Sequence, residues 1–105
     1  MIKEYKKLVR DEIPEIIRRT GGKPLMKELT PAEYVDALHA KIYEEVSEYL
    51  DGYNIEELGD IIEVVYAIAE NKGVSTEELD RIRLSKKDER GAYDKKQFLV
   101  SVERD

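Results

Sequence analysis

The chain has 105 residues, 41% of them apolar and 40% charged, with a formal net charge of −6 and no cysteine. That length suits one small domain spanning residues 1–105, and the missing cysteine excludes disulfides and thiolate metal sites. The acidic balance argues against a nucleic-acid polymer as partner. No stretch reaches the roughly 20 apolar residues of a membrane span, and the opening MIKEYKKLVRDE has no apolar run of signal-peptide length, so a cytoplasmic chain without a membrane partner is expected.

Four helical stretches are predicted. The first covers Asp11 to about Arg19, with Pro14 tolerated near its start. The second opens on Thr30 as N-cap, Pro31 at the first helical position and Glu33 three residues after the cap, and runs to about Leu50. The third follows Asn54 and stops near Gly73, at about Asn71. The fourth follows Ser75, with Glu78 in the capping-box position, and ends at about Glu89. Lys23–Leu29 and Gln97–Glu103 are too short for stable helices and are expected to be extended, pairing as a small antiparallel β-ribbon. The fold class is therefore all-α, an antiparallel bundle of about four helices with a short ribbon. A core of this size gains from burial against further copies, which predicts an oligomer.

The segment from Glu44 to Glu63, EEVSEYLDGYNIEELGDIIE, carries eight carboxylates in twenty residues. On a helical wheel Val35, Leu38, Ile42, Val46 and Tyr49 form an apolar stripe, with Glu45 at its shoulder, roughly 60° from the middle. Glu48 is the i+3 neighbour of Glu45, farther toward the flank, while Glu44 points away more fully. On the third helix Glu57 and Asp60 repeat this spacing beside an apolar face, on a side that continues into Val64 and Ala67. The short connection makes the two helices antiparallel and brings Glu45, Glu48, Glu57 and Asp60 to one level. Four converging carboxylates repel one another unless a hard cation with oxygen ligands neutralises them, and Mg²⁺ suits carboxylates and phosphates together. A solvated acidic face accounts for the same spacing, so the pattern alone leaves both readings open.

Cations for an anionic ligand are available. Lys86 and Arg90 lie at i and i+4 on the fourth helix and can reach one anion. Lys7 and Arg10 precede the first helix, and Lys95 follows the fourth. The lone His39 cannot build a paired Glu-x-x-His site and is expected in packing or at the surface.

EEVSE followed by ELGD resembles the EExxE…ExxD pattern of the MazG-like all-α nucleoside triphosphate pyrophosphohydrolases. YKKLVRDEIPEII is similar to the opening of the phosphoribosyl-ATP pyrophosphohydrolase-like branch, and KKDERGAYDKKQFL to that branch's tail. The three motifs span nearly the whole chain in order. The resemblance implies a homodimer or homotetramer of antiparallel helices with sites at subunit interfaces. It implies Mg²⁺-dependent (or Mn²⁺-dependent) cleavage between the α- and β-phosphates of a nucleotide, with a house-cleaning role on non-standard or excess triphosphates. By motif, Glu45, Glu48, Glu57 and Asp60 are the implied metal ligands, and Glu44 helps activate water. Lys7, Arg10, Lys86, Arg90 and Lys95 are the cations offered to substrate phosphates. With no cysteine and no Ser–His–Asp arrangement, direct attack by water is expected. Eight residues separate Glu48 from Glu57, fewer than in MazG proper, which bears on the base-reading pocket more than on the metal geometry. Activity on phosphoribosyl-ATP and a non-catalytic helical oligomer that binds nucleotide or protein are the alternatives.

Overall fold

A computed structural model describes residues 1–105. Four helices follow in order: α1 (Ile13–Arg19), α2 (Pro31–Gly52), α3 (Ile55–Asn71) and α4 (Thr76–Arg90). The all-α architecture expected from the sequence is present, with α2 and α3 as its central hairpin.

Local chemistry sets the ends. Thr30 caps α2 by accepting from the Glu33 amide at 3.2 Å, while the Glu33 carboxylate accepts from the Thr30 amide at 3.0 Å. This reciprocal box lies just before Pro31, whose missing N–H would have had no helical partner anyway. The Thr30 amide, followed by Lys27, holds the Glu33 carboxyl below its ordinary range. Thr30→Ala is expected to cost about 1 kcal/mol, read as a lower urea midpoint with an unchanged slope. Asn54 and Ser75 cap α3 and α4 by accepting from the Glu56 and Glu78 amides, without the reciprocal bond. Gly73, at φ 82°, makes the left-handed exit from α3 that other residues adopt at a cost.

Only Tyr53 and Asn54 stand between α2 and α3. Tyr53 takes the left-handed conformation (φ 56°), its amide donates to the Tyr49 carbonyl, and the two rings meet edge to face at 5.8 Å. So short a link returns α3 antiparallel to α2. The core lies between them, with Leu38, Val64 and Ala69 buried. α4 is tied to α3 near its start, where the Tyr66 hydroxyl donates to Asp80 at 3.0 Å. From Arg81 onward every residue is exposed, and the molecule extends 64 Å along its long axis.

Two expectations are corrected. Neither Lys23–Leu29 nor Gln97–Glu103 forms a strand. Phe98, Leu99 and Val100 are all largely exposed, so the second segment has no surface to pack on, and β-propensity acts only through such packing. On α2, Glu45 is not at the shoulder of the buried face but within it, while Val35 and Val46, expected in the stripe, are partly turned out. The buried line runs through Leu38, Ile42, Glu45 and Tyr49. No helix is long and apolar enough to cross a membrane.

Candidate metal centre

Glu45 lies eight residues before Tyr53 and Asp60 six after Asn54, so each is roughly 10 Å from the turn at 1.5 Å per residue. The antiparallel hairpin brings them level. Carboxylate oxygens of Glu45, Glu57 and Asp60 all lie within 4.8 Å of one another. Glu45 is 8% exposed, and its Oε2 atom is buried without a hydrogen-bond partner. Glu57 and Asp60 are half-buried, leaving the group open on one side.

The electrostatics follow from this crowding. Burial, then the charge of Glu48, pushes the Glu45 carboxyl up, against the pull of Lys41. Desolvation, then the charges of Glu48 and Asp60, pushes Glu57 up as well. Two carboxyls that resist ionisation beside a third, with a buried and unsatisfied oxygen on Glu45, make the donor set that a hard cation completes. These three residues can hold a metal ion.

The remaining candidates divide. Glu48 is exposed beside the group, near enough for its charge to act on Glu45 and Glu57. Glu44 is engaged elsewhere, accepting from Lys7 and from Lys41, both at 3.0 Å. Burial raises the Glu44 carboxyl, but the bonds from Lys41 and Lys7 outweigh it and hold the group below its ordinary range. The Lys7 ammonium is raised, chiefly by its bond to Glu44. Arg10 donates to Asp60 at 3.0 Å. Thus Lys7 and Arg10, expected near phosphates, border the acidic group in ion pairs. Lys86 and Arg90 lie on the exposed part of α4 and Lys95 in the segment after it, none in an ion pair with that group. His39 is exposed, its Nδ1 2.7 Å from the Val35 carbonyl.

Lys41 was not singled out by sequence reasoning. Its side chain is only 13% exposed, with Nζ 3.0 Å from Glu44 and 3.4 Å from Glu45. Its spacing of three and four residues before two glutamates was a readable sign.

No family model matches the chain, and no solved structure matches it. Over 41 residues the chain is 54% identical to a protein of Mycolicibacterium smegmatis described only as uncharacterized. The match covers 39% of this chain and 42% of that relative, so it spans less than half of either.

Proposed function

We propose that the protein is a nucleotide pyrophosphohydrolase that works with Mg²⁺ or Mn²⁺, releasing pyrophosphate from a nucleoside triphosphate and leaving the monophosphate. The observation that carries this reading is the three-carboxylate group on the α2–α3 hairpin, one of whose members, Glu45, has a buried and unpartnered Oε2. The EExxE…ExxD order of those residues, and the MazG-like opening and tail motifs, supply the reaction class.

Glu45, Glu57 and Asp60 would hold the cation. When bound, it neutralises phosphate oxygens and lowers the pKa of an attacking water. The chain's own residues then divide the remaining work. Glu44 is a weak proton acceptor, because Lys7 and Lys41 stabilise its charged form. Glu48, exposed next to the group, is better placed to take the proton from water. Lys41 holds Glu44 and Glu45 in position from the protein side.

Self-association belongs to this proposal. The chain buries four residues in 105, while Val46, Leu50, Ile55 and Ile62 along the hairpin remain exposed. A homodimer or homotetramer would cover them, and would offer the distant Lys86, Arg90 and Lys95 of one copy to the site of another.

The test is pyrophosphate release from a panel of standard and modified nucleoside triphosphates and phosphoribosyl-ATP, with and without Mg²⁺. Release from one class only with Mg²⁺ is the expected result, and it falls at least about 100-fold in Glu57→Gln and in Glu48→Gln. Release by phosphoribosyl-ATP alone would move the assignment to that substrate. No release from any of them, with nucleotide still bound, would replace hydrolysis by the non-catalytic binding oligomer.

A further inference from the structure

The segment before α1 crosses the acidic group without helix or strand, and its backbone is held there by few hydrogen bonds. Leu8 and Val9 are half-buried, but the specific ties are ionic. Lys7 bonds Glu44, 37 residues away, and Arg10 bonds Asp60, 50 residues away. The two ties differ in what they hold. Glu44 lies outside the three-carboxylate group and is shared with Lys41, whereas Asp60 is one of the three. Lys7 therefore anchors the segment independently of the group, and Arg10 reaches into it.

We propose that Arg10 is a built-in counter-ion for the acidic group and is exchanged for a divalent cation when one binds. The inference rests on the reading of Glu45, Glu57 and Asp60 as a cation site, and adds how that site is kept in its resting state. Three carboxylates within 4.8 Å of one another need positive charge. The guanidinium supplies it at Asp60, while the buried Glu45 Oε2 stays unpartnered. Lys41, 3.4 Å from Glu45, and Arg10 on Asp60 thus each relieve one member of the group, yet Glu57 is in no ion pair and the buried Glu45 Oε2 stays unsatisfied.

A divalent ion held by all three residues would relieve both defects, and its charge beside the guanidinium on Asp60 would repel Arg10 and weaken that pair. The Arg10–Asp60 pair is suited to yield. Its side chains are 56% and 41% exposed, so water screens the pair and replaces it at little cost. The Lys7–Glu44 tie keeps the segment in place after the exchange. Arg10 is then left beside a cation site with its planar fork free, the geometry that binds a phosphate oxygen pair. One residue would serve first as the neutraliser of the resting group and then as a clamp on the anionic ligand.

The exchange is tested by calorimetric titration of Mn²⁺ alone, at low ionic strength, into the native protein, Arg10→Gln, Arg10→Lys and Lys6→Gln. Lys6 is the control, since it removes one charge from the same segment but pairs with Glu4. Arg10→Gln is expected to bind Mn²⁺ about three- to tenfold more tightly than the native protein, because a competing cation has gone. Lys6→Gln is expected to stay within about twofold of native, and Arg10→Lys to return toward it. Equal affinity in Arg10→Gln and Lys6→Gln, with the native protein binding Mn²⁺, would overturn the exchange and leave the cation site standing. Absence of binding in all four proteins would overturn the cation site and the exchange together.

Discussion

Glu45→Gln is expected to stabilise the protein at neutral pH in the absence of divalent cations and to remove its stabilisation by them. Glu45 is in the buried face of α2, and its Oε2 has no partner. Burial, then Glu48, raises its folded pKa above the ordinary 4.5. The sign follows. Below the unfolded pKa the carboxyl is protonated in both states and contributes its full stability. As pH rises through the folded pKa that contribution is lost, because ionisation is easier in the unfolded chain. Glu57 acts in the same direction, from desolvation and then from Glu48 and Asp60. Glu44 acts in the opposite one: its lowered pKa gives stability above the ordinary value that is lost as pH falls through the folded one.

Glutamine keeps the shape of Glu45 without the charge, and Lys41 retains Glu44 as its partner. The gain comes from removing a buried charge and its repulsion by Glu48, since the amide still leaves a polar atom where Oε2 was, and each kcal/mol gained raises the midpoint of a domain this size by about 4–8 °C. Thermal unfolding in EDTA at pH 7 should show the gain, and at pH 4 it should vanish. Mg²⁺ should then raise the native midpoint, by about 2.7 kcal/mol of stability at one hundred times the dissociation constant, and leave the variant unmoved. Equal responses to Mg²⁺ would remove Glu45 from the site.

Leu38→Ala should have the largest effect on folding. Leu38 is 3% exposed, the most buried residue of the chain, and stands where α2 meets α3. Truncating a buried leucine costs about 2–5 kcal/mol, a large share of the 5–15 kcal/mol that holds a typical domain. With only three apolar residues buried, the remaining core has little to compensate with. Helicity at 25 °C should fall, and urea should complete the loss at a much lower midpoint. Ile55→Ala is the informative contrast. Ile55 is 74% exposed, so its truncation should stay within about 0.5 kcal/mol if the chain is a monomer. A larger loss that deepens on dilution would show that another copy covers the hairpin.

The helix ends were legible because they are written locally. Thr30, Pro31 and Glu33 state the start of α2, and Asn54 and Gly73 bracket α3, within a few consecutive residues each. The convergence of Glu45, Glu57 and Asp60, three of the four carboxylates expected together, was legible because a two-residue link leaves antiparallel packing as the outcome, while Glu48 stays exposed beside them. The wheel misplaced Glu45 because it ranked residues by hydropathy. The buried line is set by where α3 lies, and it admits a carboxylate with Lys41 beside it. Gln97–Glu103 has the composition of a strand but nothing to pair with, which no local pattern reveals. The ties of Lys7 to Glu44 and Arg10 to Asp60 span 37 and 50 residues. They depend on the path of an irregular segment, and hydrophobic periodicity carries no information about such a path.

Direct binding of Mn²⁺, followed by electron paramagnetic resonance as free Mn²⁺ is depleted, tests the centre with no assumption about substrate. The native protein at neutral pH should bind Mn²⁺ saturably, Mg²⁺ should compete it off, and Glu57→Gln should lose the binding while keeping its helical spectrum. Unsaturable binding, or binding that Glu57→Gln retains in full, would contradict the account and return the carboxylates to a solvated acidic face.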